Sequence, residues 1–187
     1  DKTKTDARII GAEKVNKIIN NFHTNKKILD ISNIFYKERS VHFFTMAAKL
    51  SFNGKNEGSG NGWHRDSFAP QFKAMIYLSD VEQSNGPFEY YPKSNSTKHI
   101  KSLNKFLKQK KLSKRYDHDS IVAFSNEFNE RPKQFTAKAG SIIFFDSSGL
   151  HRGFPILSGD RYALTIYSMR ERSINDKKYK KFGITPS

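Results

Sequence analysis

The segment Trp63-His64-Arg65-Asp66 sets an imidazole and a carboxylate two residues apart, and on extended backbone residues at i and i+2 point to the same side. His64 and Asp66 therefore suit two ligands of one metal ion. Eighty-five residues after Asp66, His151 follows an apolar run at 142–145 that breaks into Asp146-Ser147-Ser148-Gly149. Such an exit from a buried-looking strand suits a third ligand. Two histidines and one carboxylate form the facial triad of a non-haem Fe(II) oxygenase, which leaves three coordination positions for a co-substrate and O2. His-x-Asp alone recurs by chance on many surfaces. Arg161 adds discrimination, because it stands ten residues beyond His151 and opens the strand-like run 161–167. A guanidinium at the mouth of an apolar strand calls for an anion, and its planar fork fits a carboxylate. The distal carboxylate of 2-oxoglutarate would satisfy it; pairing with Asp160 is the bland alternative.

The same residues suggest other chemistries. A hydrolase built on Ser148, His151 and Asp146 fails, because three residues in one turn do not line up as nucleophile, base and orienter. The His-Asp-His set would also serve zinc hydrolysis or a metal-binding barrel without turnover. Arg161 and the lack of a convincing glutamate base tilt against both. Asp66 argues against a halogenase, which needs a halide in the carboxylate's position. His23, His42, His99 and His118 lack a second ligand at useful spacing and read as surface or partly packed residues.

These groups need elements to position them. A helical pattern runs over 9–22, with Ile10, Val15, Ile18, Ile19 and Phe22 on its apolar face. Strand signals cover 41–52, 72–78, 88–91, 133–136, 141–145 and 161–169, with turn residues at Ser84-Asn85-Gly86-Pro87, Ala139-Gly140 and Ser158-Gly159-Asp160. The stretch 53–62 holds four glycines and reads as a loop without a phosphate-binding signature. Short strands with helices at the front and middle indicate a mainly β sandwich or barrel with flanking helices. One domain over 1–187 is the simplest organisation for a chain of 187 residues and 21.6 kDa. No apolar run is long enough for a membrane span, and no signal peptide is recognisable, so a cytoplasmic setting is expected. The absence of cysteine excludes disulfides, zinc ribbons and thiol nucleophiles.

The formal charge of +15 is uneven. Eight basic residues and no acid lie at 98–115, and a further basic excess lies from 170 onward. Ile100, Leu103, Phe106 and Leu107 recur at helical spacing, which predicts an amphipathic helix with a lysine surface. Such a surface is either a solvated face or an attractor of an anionic partner. Together with the glycine loop it would wall and gate the site. Aromatics do not interleave with these lysines, so a base-stacking platform has little support.

Taken together, Trp63-His64-Arg65-Asp66, Ile76-Tyr77-Leu78-Ser79-Asp80-Val81, Asn85-Gly86-Pro87-Phe88-Glu89-Tyr90-Tyr91-Pro92-Lys93-Ser94 and Ala139-Gly140-Ser141 through His151-Arg152-Gly153 and Arg161 resemble phytanoyl-CoA dioxygenase-like Fe(II)/2-oxoglutarate oxygenases. The resemblance covers about 41–170 and leaves 171–187 as a basic tail. It implies a double-stranded β-helix (jelly-roll, cupin-like) core, with His64, Asp66 and His151 as iron ligands and Arg161 as the 2-oxoglutarate anchor. It further implies hydroxylation of a small organic substrate with release of succinate and CO2; the charge adds the expectation that this substrate is anionic. A basic barrel that only docks nucleic acid or another polyanion, or a nucleic-acid-directed oxidative demethylase, is the alternative.

The chain also departs from the family pattern. Pro92-Lys93-Ser94-Asn95 stands where relatives often read Pro-Gly-Ser-His, which suggests a different substrate contact. Gly153 stands where many place a hydroxyl residue. Tyr77 and Thr165 are the candidates to supply that hydrogen bond to 2-oxoglutarate, because strand alternation sets Thr165 on the face of Arg161 and Tyr77 on the face of Lys73.

Overall fold

The computed structural model describes residues 5–54, 58 and 62–182. In chain order the elements are β1 (Asp6–Ile10), α1 (Lys17–His23), α2 (Lys26–Tyr36), β2 (Ser40–Ser51), β3 (Trp63–His64), β4 (Phe72–Tyr77), β5 (Phe88–Tyr90), α3 (Thr97–Phe106), β6 (Arg115–Tyr116), α4 (His118–Glu127), β7 (Lys133–Phe135), β8 (Ile142–Asp146), β9 (His151–Gly153), β10 (Asp160–Arg170) and α5 (Asp176–Phe182). Two five-stranded sheets result, ordered β1-β2-β10-β4-β8 and β6-β3-β9-β5-β7, and every strand pairing in them is antiparallel. They pack face to face, as Met75, Tyr77 and Ala163 of the first sheet meet Phe88, Tyr90 and Phe135 of the second. This is the double-stranded β-helix.

Strand alternation assigns the faces. On β10, Arg161, Thr165 and Tyr167 line an internal cavity, while Ile166 turns outward and packs with Phe72 and Ala74 against Ile28 and Tyr36 of α2. Behind the second sheet, Leu103 of α3 and Ile121 and Phe124 of α4 cover Trp63, Tyr91 and Leu150. Each large apolar group buried there contributes about 1.5–3 kcal/mol. Side-chain caps start these helices: Ser96 accepts from His99 N at 3.2 Å and Asp117 from Ser120 N at 2.8 Å.

Three expectations are corrected. The pattern at 9–22 is not one helix. Ile9 and Ile10 lie on β1, paired in register with Ala47 and Met46 of β2; Gly11 then takes φ 77, and α1 starts only after the Asn16 cap. Val15 and Ile18 are 78% and 79% exposed, so of that stripe only its end, Phe22, packs against the core with Ile28 and Tyr36. Second, the lysine-rich helix ends at Phe106, and Lys108 adopts φ 52, which places Lys108 and Lys111 beyond it. Third, the stretch 171–187 begins as structure, since Tyr179 and Phe182 of α5 pack on Phe43 and Phe44. Of the glycine loop at 53–62, residues 55–57 and 59–61 lie outside the described residues.

Candidate active site

The pairing of β3 with β9 brings His64 opposite His151, with ring centroids 4.4 Å apart. Two residues after β3's register point, the Asp66 carboxylate turns to the same place. Its Oδ1 lies 3.7 Å from His64 Nε2 and 3.9 Å from His151 Nε2. One ligand atom from each residue falls within 4.8 Å of the others.

Donor chemistry fits a divalent ion. His64 Nδ1 is 2.9 Å from Gly62 O and His151 Nδ1 is 2.9 Å from Gly149 O. A carbonyl only accepts, so each Nδ1 carries the proton and each Nε2 keeps its lone pair for a metal shared with Asp66. Burial lowers the pKa of both rings, and the neighbouring His64 lowers that of His151 further. Burial would raise Asp66, but Lys73 and the two histidines hold its carboxyl well below the usual range. Neutral imidazoles and an ionised carboxylate are the forms a metal requires.

Backbone contacts hold the three ligands in place. Arg65 is 2% exposed, and its Nη1 donates to Ser148 O at 2.7 Å and Ser94 O at 3.0 Å. Asp66 N donates to Ser147 O at 2.9 Å. The turn before His151 is fastened through Asp146, whose Oδ1 accepts from Gln71 N and Ser148 N and whose Oδ2 accepts from Asn95 Nδ2, all at 2.9 Å. Leu150 N donates to Ser94 Oγ at 2.7 Å. The Pro92-Lys93-Ser94-Asn95 segment thus braces the His151 turn. At Gly149 a Cβ would overlap the Tyr90 hydroxyl and ring, so only glycine fits there.

Sequence reasoning did not assign a role to Lys73, which sits on β4 at 4% exposure. Its ammonium pairs with Asp66 Oδ2 and lies 3.9 Å from the centre of the Tyr167 ring. Burial would lower its pKa, yet Tyr167 and Asp66 outweigh that and raise it. A readable signal existed: a lone lysine inside the apolar run Phe72–Tyr77 is the same anomaly that drew attention to Arg161. Arg65 and the buried pair of Arg152 with Glu89 were also missed.

Arg161 and Thr165, each 5% exposed, share with the three ligand residues a cavity of about 180 Å³. Arg161 Nη1 donates to Gly86 O, and among the described residues no carboxylate pairs with its guanidinium. Asp160 pairs with Lys49 at 3.0 Å instead. Gly153 contributes to the cavity wall and Thr165 brings a hydroxyl to it. Tyr77 is placed differently. It is fully buried, its hydroxyl donates to Phe135 O and accepts from Phe88 N, both at 2.9 Å, and it is not among the residues lining the cavity. Of the remaining histidines, expected at surface or partly packed positions, His99 is buried at 7% exposure against the Tyr91 and Phe124 rings.

The fold and the cluster are those expected of a non-haem iron, 2-oxoglutarate-dependent oxygenase, and the family match places the chain in that class. More narrowly, the phytanoyl-CoA dioxygenase family profile matches residues 4–163, and the chain belongs to that family. No curated protein matches it. Among solved structures it is similar to the epimerase SnoN in complex with Fe3+, alpha ketoglutarate and nogalamycin RO, at TM-score 0.65 and 15% identity over 98% of this chain and 71% of that one. EctD from S. alaskensis with 2-oxoglutarate and 5-hydroxyectoine gives TM-score 0.66 and 14% identity over 87% and 56%. AviO1 from Streptomyces viridochromogenes Tue57 gives 0.61 and 16% over 90% and 68%. The chain thus spans little more than half of EctD's length. Among the described residues no helix is long and apolar enough to cross a membrane.

Proposed function

We propose that the protein is an Fe(II)- and 2-oxoglutarate-dependent dioxygenase that hydroxylates a small anionic organic substrate and forms succinate and CO2. The supporting observation is the Arg161 guanidinium, buried without a carboxylate partner among the described residues, in the same cavity as the His64, Asp66 and His151 ligand atoms. An uncompensated buried charge costs several kcal/mol. A dianionic co-substrate whose far carboxylate meets that fork would offset it.

In this reading His64 Nε2, Asp66 Oδ1 and His151 Nε2 hold the iron, which when bound supplies O2 activation coupled to oxidative decarboxylation of 2-oxoglutarate. Arg161 orients the co-substrate from its far end, and the Thr165 hydroxyl donates the hydrogen bond that Gly153 lacks. Lys73 holds Asp66 Oδ2 and leaves Oδ1 to the metal. Met75, Phe88 and Phe145 line the same cavity and exclude water from it, which strengthens every charge interaction inside. No side chain has to act as a base toward the substrate carbon. One oxygenase domain over 1–187 and a cytoplasmic setting, where reduced iron and 2-oxoglutarate are both at hand, complete the proposal.

The test is succinate formation by iron-loaded protein against a panel of metabolites, with mass detection of a product carrying one added oxygen atom. Absence of any 2-oxoglutarate turnover, with or without substrates, in protein shown to hold stoichiometric iron would refute it.

A further inference from the structure

The N-terminal strand β1 brings two charged residues to the Arg161 end of the metal cavity. Leu50 of β2 pairs in register with Arg161 of β10 on one side and with Asp6 of β1 on the other. Residues in register on neighbouring strands point to the same face, so Asp6 and Arg161 face the same way with Leu50 between them in the row. Their backbones are two strand spacings apart, about 10 Å, which an extended arginine and an aspartate can close. The adjacent row on that face is Arg8, Ala48 and Ala163. Its two alanines leave room above them, and the long Arg8 side chain lines the metal cavity together with Arg161.

Arg8 grips Asp6. Its Nε donates to Asp6 Oδ1 at 2.8 Å and its Nη2 to Oδ2, the two-pronged hold of a guanidinium on a carboxylate. The Asp6 side chain is 7% exposed, so this pair is better shielded from solvent than an ordinary surface pair. Arg161 feels both charges: burial lowers its pKa, Tyr77 and Asp6 oppose that, and Arg8 adds to the lowering. Among the described residues no carboxylate, Asp6 included, pairs with Arg161, whose Nη1 donates to Gly86 O.

We propose that Arg8 is a positioning residue for the co-substrate: by gripping Asp6 it keeps the carboxylate of its own row off Arg161 and leaves that fork open for the far carboxylate of 2-oxoglutarate. The proposal rests on the oxygenase reading and gives β1 a part in it. A buried guanidinium without a carboxylate is strongly unfavourable, and with Arg8 removed Asp6 is the anion placed to relieve it. The Asp6 to Arg161 pair then has to open before 2-oxoglutarate binds. When the open form falls to about one molecule in ten, the apparent dissociation constant rises about tenfold.

The experiment uses the full chain, loaded anaerobically with Fe(II) and titrated calorimetrically with 2-oxoglutarate. Arg8→Gln should weaken 2-oxoglutarate about tenfold. Arg8→Lys keeps a cation beside Asp6 and should stay within about threefold of the parent. Asp6→Asn should bind at least as tightly as the parent, and adding Asp6→Asn to Arg8→Gln should restore the parent affinity, which loss of mere structural support would not allow. Lys49→Gln is the control: it removes the cation from Asp160, which points to the opposite face of β10 from Arg161, and should change nothing. Iron affinity, titrated in the same samples, should stay within about twofold throughout, because the pair lies away from the ligand atoms. Circular dichroism of the variants establishes that they are folded. Unchanged affinity in Arg8→Gln would overturn the proposal. So would a double variant as weak as Arg8→Gln, which would make Arg8 itself a contact of the co-substrate or a support of β1. Should Arg8→Gln not fold, Asp6→Asn decides, because weaker binding in it contradicts the part given to Asp6. Failure of the iron-loaded parent to bind 2-oxoglutarate would refute the oxygenase reading, whereas parent binding that Arg8→Gln leaves unaltered refutes the role of Arg8 alone.

Discussion

Lys73 and Arg161 are both buried cations in one cavity, but their partners differ. Lys73 already has its anion in Asp66, whereas Arg161 bonds a carbonyl and, among the described residues, no carboxylate. Arg161→Ala is expected to raise the 2-oxoglutarate concentration needed for half-maximal turnover by about 10–100-fold, the scale of losing a charge-assisted bidentate contact. Iron affinity, measured by titration, should stay within about twofold; an equal fall in both would place Arg161 at the metal instead. Lys73→Met leaves Asp66 as an unpaired, largely buried anion. In metal-free protein this should cost up to about 3 kcal/mol of unfolding free energy, discounted for the partial exposure of Asp66. Added Mn(II) should shrink the deficit, because the metal then supplies the positive charge. A deficit that is the same with and without metal would show that Lys73 matters through packing alone.

At the scale of the elements, the turn between β8 and β9 is closely packed. Gly149 has no room for a Cβ beside Tyr90, and Tyr90 Oη donates to Asp146 O at 3.1 Å. Gly149→Ala should destabilise the protein by about 1–3 kcal/mol through overpacking and weaken metal binding by shifting His151. Denaturant melts of Gly149→Ala, Tyr90→Ala and the double variant would show a double variant better than the sum of the two. Strict additivity would remove the clash as the cause. The α3 helix bears a second testable feature in His99, whose pKa is lowered by burial, with Glu130 at 3.7 Å opposing only partly. A depressed histidine pKa means that the fold favours the neutral ring. Its contribution is therefore complete above the unfolded value near 6.5 and is lost as pH falls below it. Melting between pH 7 and pH 5 should fall less steeply in His99→Phe than in the parent, and identical slopes would dismiss His99 as an acid-sensitive position.

Across the whole molecule, the metal site ties together elements that no local sequence joins. His64 and Asp66 flank one end of the second sheet, His151 comes from a neighbouring strand of it, and Lys73 reaches across from the first. Occupying that site should therefore stabilise the entire fold. At a metal concentration about 100 times the dissociation constant the gain is about 2.7 kcal/mol, or roughly 5–10 °C in melting temperature for a chain of this size. A thermal scan with Fe(II) or Mn(II) against one with chelator measures it. Asp66→Ala should erase the difference, and a metal-induced rise that survives in that variant would locate the ion elsewhere.

The features legible in the sequence are local in origin. His64 and Asp66 share a side because backbone extension has a period of two, and a charged residue in an apolar run, such as Arg161, is anomalous wherever the run folds. Strands β4, β5, β7, β8 and β10 were legible for the same reason, since β-branched and aromatic runs between turn residues define their own limits, whereas the two- and three-residue β6 and β9 carry no such run. Tertiary structure decided the rest. Ile9 and Ile10 fit a helical period as well as a strand, and only the edge of β2 made them strand. Tyr77 and Thr165 were equivalent by alternation, until packing gave the Tyr77 hydroxyl to Phe135 and Phe88 and left that of Thr165 on the cavity. Lys73 meets Asp66 through pairing between segments distant in the chain. Periodicity states which way a side chain points along its own strand or helix, but which other side chain it meets depends on contacts between elements that no local pattern encodes.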